Sequence, residues 1–218
     1  MRFQNRTRLL ATALCLSLGG PVIALAQSQP PAASQVSPAE ARAATLPVRE
    51  FYDALLYTMK HAKQLGISGR FARLEPAVSN TFDFAVMTRF TVGQDWDKMT
   101  PRERVALMDA FRRLTTANYA HSFNGYAGES FTVTPTVEQR DGDDIVSTQM
   151  NIPDKAPIAF VYRMHKTPRG WRIVDIYLNG YISEVATRRA DFASTLKTGG
   201  VAALTKRLNE MADRTLKG

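Results

Sequence analysis

Residues 170–180, GWRIVDIYLNG, form the stretch that decides the fold. Their density of bulky apolar residues indicates the last strand of an antiparallel sheet, and side chains alternate between the two faces of a strand. One face would carry Trp171, Ile173, Asp175 and Tyr177, and the other Arg172, Val174, Ile176 and Leu178. Because both rows contain bulky apolar groups, we predict helices against one face and further apolar material against the other.

Three earlier segments have the same period of two and complete a four-stranded antiparallel sheet. Residues 131–137 alternate apolar side chains with threonines, and Pro135 places this strand at an edge or a bulge because it cannot donate to a ladder. The acidic stretch 141–144 predicts a hairpin turn. The two remaining strands are expected at residues 145–152 and 158–164.

Helical patterns lie on both sides of these strands. Apolar residues at three- and four-residue steps predict an amphipathic helix from Val48 to about Gly66, and Thr100-Pro101 with Glu103 predict a capped helix to about Ser122. Shorter helices are expected at 69–80 and 84–90, and two more at 182–196 and 201–216. The predicted fold class is therefore α+β, with a four-stranded antiparallel sheet packed against helices from both ends of the chain.

The first 26 residues have the three parts of an export signal. Arg2, Arg6 and Arg8 form a charged start, residues 9–18 an apolar run, and Ala24-Leu25-Ala26 a cleavage site. The apolar run is shorter than the roughly 20 residues that span a bilayer. The single cysteine, Cys15, lacks a preceding small residue, so lipidation is not expected. We predict cleavage after Ala26 and a periplasmic location.

The segment after the predicted signal, residues 27–44, is rich in Ala, Ser, Gln and Pro and predicts a flexible tether. Within it, Ser37-Pro38-Ala39-Glu40 has the pattern of a helix start. Residues 45–218 contain neither a linker nor a repeat, which favours a single domain. Loss of the three signal arginines lowers the net charge from +8 to +5. This balance suits an anionic membrane surface, and we expect no binding of nucleic acid.

Few residues suggest catalysis or metal binding. His61, His121 and His165 have no spacing that would hold zinc, so no metal and no cofactor are expected. Asp175 is more informative, because a carboxylate among apolar neighbours must be paired or have a raised pKa. Two interpretations remain open for Asp175. It is either paired with an arginine or a backbone amide, or it is the general base of a small-molecule enzyme on a cone-shaped α+β fold.

Several segments, in fixed order, resemble the MlaC family of periplasmic lipid-carrying proteins, which are also described as toluene-tolerance auxiliary components of ABC transporters. The resemblance covers roughly residues 48–215. Its segments are FDFAVMTR at 82–89, VG and Trp96 at 92–96, AFRR at 110–113, WRIVD at 171–175 and Gly199-Gly200. Residues 123–129 and 182–184 are most similar to the hopanoid-associated HpnM branch.

This resemblance implies an apolar pocket between sheet and helices that buries the tails of a phospholipid or a hopanoid, without catalysis. Apolar periodicity alone fits a filled core as well as a cavity wall. The residues expected to line the pocket are Phe51, Leu55, Met59, Phe84, Met87, Phe111, Leu114, Tyr119, Phe160, Tyr162, Val174, Ile176, Leu178, Tyr181 and Ile182.

The family resemblance also implies partners. They are an inner-membrane ABC transporter complex and an outer-membrane complex of a lipoprotein and a porin, between which a monomeric carrier would exchange lipid. Burial of hydrocarbon stabilises the bound lipid by about 25 cal/mol per Å². Since the tails supply this free energy, weak selectivity for the head group is expected.

Overall fold

The computed structural model describes residues 34–217, so the predicted export signal and the first part of the predicted tether lie outside the described residues. The helices are α1 (Pro38–Lys60), α2 (Ala62–Thr81), α3 (Phe84–Val92), α4 (Asp95–Lys98), α5 (Pro101–Ser122) and α6 (Glu184–Lys217). The strands are β1 (Ser34–Gln35), β2 (Ser130–Val133), β3 (Glu138–Arg140), β4 (Asp143–Asn151), β5 (Ile158–Thr167), β6 (Gly170–Leu178) and β7 (Ile182–Ser183).

The described strands form one antiparallel sheet in the order β1-β3-β4-β5-β6-β7, with β2 also paired to β4. The α+β class is confirmed, but the prediction of four strands is wrong because seven are present in residues 34–217. The strand predicted at 131–137 ends at Val133, and β3 begins only at Glu138, so Pro135 lies between β2 and β3, which pair with opposite halves of β4. The additional strands β1 and β7 have two residues each, too few to show a period.

A β-bulge at Val174 interrupts the alternation of β6. Met164 on β5 lies opposite Ile173, but the adjacent Arg163 lies opposite Asp175, so Val174 has no partner across the ladder. Beyond the bulge, the opposed pairs are Tyr162 with Ile176 and Phe160 with Leu178.

Directly opposed residues of an antiparallel pair share a face of the sheet. Because Met164, Tyr162 and Phe160 alternate regularly along β5, their partners Ile173, Ile176 and Leu178 all share one face. The prediction that Ile173 and Ile176 lie on opposite faces is therefore wrong. One extra residue reverses the phase of a strand, so Trp171 and Ile173 from one predicted row and Ile176 and Leu178 from the other face the same side of the sheet.

The helix α1 begins inside the predicted tether. The Ser37 hydroxyl accepts a hydrogen bond from the Glu40 amide at 3.3 Å, and Ala41 and Ala44 are buried. The tether prediction is therefore wrong from Pro38 onward, because the capped first turn packs its alanines into the core. At α5 the Thr100–Glu103 capping box predicted from the sequence is confirmed, with both reciprocal hydrogen bonds present.

Glycines bend two of the helices. Gly66 has φ 59° inside α2, and Gly200 has φ 67° inside α6. Glycine adopts these dihedral angles without the steric cost that a Cβ would impose. The break predicted at Gly199-Gly200 is confirmed, because the non-helical Gly200 separates α6 into two helical halves.

A single hydrophobic core lies between the helices and one face of the sheet. Its largest fully buried side chains include Phe51, Leu74, Phe111, Ile173 and Leu204. The amide of Asp83 donates to the carbonyl of Ile173 at 2.8 Å, which joins the start of α3 to β6. Within residues 34–217, no helix has the length and apolar character needed to cross a membrane.

Candidate functional site

A pocket of about 400 Å³ opens between the sheet and the helices. This volume lies in the lower part of the range of about 300–1,000 Å³ that small-molecule sites occupy. The floor of the pocket consists of buried, mostly apolar side chains from α1, α3, α5 and β5 and from the residue that directly follows α2. They are Tyr52, Leu55, Phe82, Met87, Phe111 and Tyr162.

The sheet wall of the pocket depends on the bulge at Val174. Phe160 and Tyr162 on β5 line the pocket together with their partners Leu178 and Ile176 on β6. Without the extra residue, Ile176 and Leu178 would lie on the opposite face from Ile173. The bulge therefore allows one strand to fill the core with its first half and to line the pocket with its second half.

A three-residue loop, Asn179-Gly180-Tyr181, joins β6 to β7 at one end of the pocket. Asn179 and Gly180 have positive φ, 53° and 81°, as the two central residues of a type I′ turn require, and the Tyr181 amide donates to the Leu178 carbonyl at 3.4 Å. The side chains of Leu178 and Ile182 line the pocket and are also exposed. They form an apolar section of the rim.

The hydroxyl groups of the floor residues Tyr52 and Tyr162 are linked to each other and to the hydroxyl of Thr148. Tyr52 donates to the Tyr162 hydroxyl at 2.8 Å and lies 2.6 Å from the Thr148 hydroxyl, which reaches the Phe160 carbonyl at 3.2 Å. Burial raises the pKa of Tyr52 to about 12, although its hydrogen bonds to Thr148 and Tyr162 oppose this effect. Burial also raises the pKa of Tyr162. The tyrosine hydroxyls therefore stay protonated at neutral pH, and the floor carries no charge.

The polar side of the rim comes from α5 and α6. Its uncharged members are Thr115, Asn118, Ser122 and Thr187, and its charged members are Glu184 and Arg188. Arg188 donates from Nε to Glu184 Oε1 at 2.7 Å. An apolar, uncharged interior beneath a polar rim suits a ligand that has a hydrocarbon body and a polar end.

Most of the residues predicted to line a pocket do lie around this one. They are Leu55, Met87, Phe111, Tyr119, Phe160, Tyr162, Ile176, Leu178 and Ile182. Burial raises the pKa of Tyr119 as well, so this third aromatic hydroxyl is also neutral.

The other predicted residues lie elsewhere. Phe51 packs behind the lining, with its ring 5.3 Å from that of Phe82 and 5.1 Å from that of Tyr119. Tyr181 is 75% exposed at the hairpin and does not line the pocket. The remaining residues are buried in the protein without lining the pocket, namely Met59, Phe84, Leu114 and Val174.

Sequence reasoning missed several lining residues. Tyr52 belongs to the apolar stripe of α1, and Phe131 to the alternating pattern of β2, so both could have been chosen from periodicity. The rings of Tyr52 and Phe131 stack with centroids 4.1 Å apart. Phe82 and Phe123 flank helices, and the polar rim residues have no pattern that marks them as lining.

Asp175 is held by hydrogen bonds and is not among the lining residues. Its Oδ1 accepts from the amides of Ile176 at 2.8 Å and Val185 at 3.1 Å, and its Oδ2 accepts from the Ser183 hydroxyl at 2.6 Å. The interpretation of a carboxylate paired with backbone amides is confirmed. Asp175 joins β6 to the start of α6, and this geometry offers no support for its role as a general base in the pocket.

The comparison with known families agrees with this architecture. The sequence profile described as "MlaC protein" matches residues 49–210, well over half of the chain. The chain belongs to the MlaC family. The resemblance found in the order of short motifs is therefore confirmed at the family level, whereas the assignment to the HpnM branch stays a prediction.

A solved structure of similar fold contains a ligand. The phospholipid-binding protein from Ralstonia solanacearum, determined in complex with a phospholipid, matches this MlaC-family chain with a TM-score of 0.68 and 25% identity. The match covers 79% of this chain and 98% of the other. That relative binds phospholipid on a fold shared over nearly its whole length.

Proposed function

We propose that this chain is a periplasmic lipid carrier that buries the tails of a phospholipid in the pocket between sheet and helices. The observation that carries the proposal is the buried, uncharged pocket floor in a chain of the MlaC family. The phospholipid-bound relative from Ralstonia solanacearum supports the choice of ligand. The residues proposed to contact the tails are those of the floor and the sheet wall.

Hydrocarbon burial supplies the driving force for this binding. Each methylene group removed from water contributes about 0.8 kcal/mol, so a tail that enters the pocket offsets much of its transfer out of a bilayer. Charges in the floor would oppose this transfer because a buried charge must lose its hydration. The raised pKa values of Tyr52 and Tyr162, caused first by burial, keep the floor neutral.

The carrier would exchange lipid between membrane systems rather than alter it chemically. We propose an inner-membrane ABC transporter complex and an outer-membrane lipoprotein–porin complex as its partners, by resemblance to the family. Phospholipid is the proposed cargo, and a hopanoid is the alternative if the chain belongs to the HpnM branch. A rigid polycyclic hopanoid would require a differently shaped cavity from two flexible tails.

Lipid extraction tests the proposed function. The purified protein, exported with its own signal, is extracted with organic solvent, and the extract is analysed by mass spectrometry for phospholipids and hopanoids. We expect phospholipid to co-purify at close to one molecule per chain. A co-purifying hopanoid instead of phospholipid would identify the hopanoid as the cargo. A protein that contains no lipid and takes none up from vesicles would contradict the proposed function.

A further inference from the structure

The charged part of the pocket rim consists of one anion and one cation, one turn apart on α6. Glu184 and Arg188 are the charged residues among those that line the pocket in the described part of the chain. Their charges sum to zero, so the rim does not attract a purely anionic ligand by net charge. A ligand with one positive and one negative group would match both side chains.

Arg188 has unused hydrogen-bonding capacity. Its Nε donates to Glu184 Oε1 at 2.7 Å, and its Nη1 lies 3.7 Å from Asp191 Oδ2, beyond hydrogen-bond distance. Within residues 34–217, neither Nη1 nor Nη2 of Arg188 forms a hydrogen bond. The Arg188 side chain as a whole is 20% exposed, so it is partly withdrawn from water. Two parallel N–H groups of a guanidinium match two oxygens of a phosphate.

The amides at the start of α6 are already occupied. The Val185 amide donates to Asp175, and the Ala186 amide donates to the Ser183 hydroxyl at 3.0 Å. A phosphate at this rim would therefore bind to the Arg188 side chain rather than to these two backbone groups.

Glu184 supplies the complementary acceptor. Its Oε1 binds Arg188, and no described residue donates a hydrogen bond to Oε2. A primary ammonium group would donate to Oε2 and neutralise the carboxylate, whereas a glycerol head group brings no positive charge to this position. The carboxylates of Glu184 and Asp191 also weaken the attraction of Arg188 for a ligand that is only anionic.

We propose that Arg188 and Glu184 form a head-group subsite for a phosphodiester that carries a primary ammonium, the chemistry of phosphatidylethanolamine. Arg188 Nη1 and Nη2 donate to the phosphate, and Glu184 accepts from the ammonium. This subsite rests on the proposed function as a lipid carrier. It replaces the expectation of weak head-group selectivity with a preference for a zwitterionic, amine-bearing phospholipid over an anionic one.

A competition experiment tests the subsite. Lipid-depleted protein is incubated with vesicles that contain equal amounts of phosphatidylethanolamine and phosphatidylglycerol, then re-isolated, extracted and quantified by mass spectrometry. We expect wild-type protein to be enriched in phosphatidylethanolamine by about fivefold, which corresponds to one partly buried ion pair. Glu184→Gln should bring the ratio back to that of the vesicles. Glu184→Lys should shift the ratio toward phosphatidylglycerol.

The matched control is Glu210→Gln on the same helix. Glu210 faces Lys206 with the same four-residue spacing, 3.8 Å between charged atoms, and neither residue lines the pocket. Glu210→Gln should leave both the ratio and the total lipid unchanged. Circular dichroism of each variant establishes that it is folded.

The outcomes separate the subsite from the function on which it rests. If wild-type protein takes up neither lipid, the proposed carrier function fails. If wild-type protein loads both lipids in the vesicle ratio, only the subsite fails. The subsite is also overturned if Glu184→Gln lowers the uptake of both lipids equally, because Glu184 would then serve only to position Arg188.

Discussion

The hydroxyl of Tyr52 on α1 donates a hydrogen bond to the hydroxyl of Tyr162 on β5 at 2.8 Å. This contact joins the first helix to the centre of the sheet at the floor of the pocket, where both residues are buried. Thr148 on β4 lies within 2.6 Å of the same Tyr52 hydroxyl. This hydrogen bond holds α1 against β5 at the pocket floor.

Substitution Tyr52→Phe should destabilise the protein. It leaves the hydroxyls of Tyr162 and Thr148 without one buried partner, at a cost of about 1–3 kcal/mol. Urea denaturation monitored by circular dichroism measures the change in unfolding free energy. Tyr181→Phe is the control, because Tyr181 is 75% exposed and its change should stay within about 0.5 kcal/mol. Equal stability of the two variants would refute the proposed link.

Alkaline pH should weaken the wild-type fold. Burial raises the pKa of Tyr52 to about 12, whereas an unfolded tyrosine loses its proton near pH 10. Between about pH 10 and 12 the unfolded state binds fewer protons than the folded state, so the unfolding free energy falls as the pH rises. Urea titrations in this interval should show a shallower fall for Tyr52→Phe. Parallel pH profiles would show that Tyr52 is not the group responsible.

Substitution Asp144→Asn should stabilise the protein at neutral pH. Asp144 is fully buried, and neither carboxylate oxygen has a hydrogen-bond partner among the described residues. Burial raises the pKa of Asp144 and the negative charge of Glu40 adds to this effect, whereas the Gln139 side chain and the positive charge of Lys166 oppose it. Because the charged form is disfavoured in the folded state, removing the charge should raise the unfolding free energy by about 1 kcal/mol at pH 7.

The advantage of Asp144→Asn should shrink as the pH falls. A raised folded-state pKa means that the native protein takes up the Asp144 proton before the unfolded chain does, so acidification relieves the wild-type penalty. Denaturation curves of both proteins from pH 7 down to about pH 4 measure this convergence. A variant that is less stable than wild type at pH 7 would indicate an ionic partner for Asp144.

Substitution Gly200→Ala should destabilise α6 through the backbone alone. Gly200 has φ 67° and ψ −166°, and an added Cβ would meet nothing within 4 Å. We expect a loss of about 1–3 kcal/mol because a side chain disfavours this region of dihedral space. Gly125→Ala is the matched control, since its site is equally open and φ is not positive. Equal stability of both variants in thermal melts would show that a side chain at position 200 causes no backbone strain.

Helix positions were predictable where the determining interactions are local. The Thr100–Glu103 capping box of α5 involves residues three apart, so the sequence contains all of its partners. Pro135 marked the division between β2 and β3 for the same reason. Proline has no backbone N–H to donate to a ladder, and this property is visible in the residue itself. The short strands β1 and β7 were not predictable, since pairing partners elsewhere in the sheet define them.

The faces of β6 could not be derived from alternation. A period of two assumes an unbroken ladder, and the sequence 170–178 is apolar in both rows, so nothing in it marks Val174 as the extra residue. Strict alternation therefore placed Ile173 and Ile176, on either side of Val174, on opposite faces of the sheet. Only the pairing with β5 reveals that both residues face the side of the sheet on which the core and the pocket lie.

The candidate site was only partly predictable, because packed core and pocket wall use the same residue types. Leu55 lines the pocket and Met59, one turn later on the same stripe of α1, does not. The four-residue spacing of Glu184 and Arg188 was readable as a helical ion pair. Their position at the pocket rim requires the packing of α6 beside β6 and α5, which is a tertiary property.

The most direct test of the carrier is the lipid content of wild-type protein and of the variant Ile176→Glu. Ile176 lines the pocket, so a carboxylate there would have to be buried beside the lipid tails. Val105→Glu is the control, because Val105 is 52% exposed on α5 and lies outside the pocket. Circular dichroism should show the same fold for all three proteins.

Mass spectrometry of solvent extracts then gives the amount of phospholipid per chain. We predict close to one phospholipid in wild-type protein and in Val105→Glu, and a loss of about tenfold or more in folded Ile176→Glu, as the desolvation of one charge implies. Equal lipid in Ile176→Glu and wild type, or no lipid in any of the three, would contradict the account.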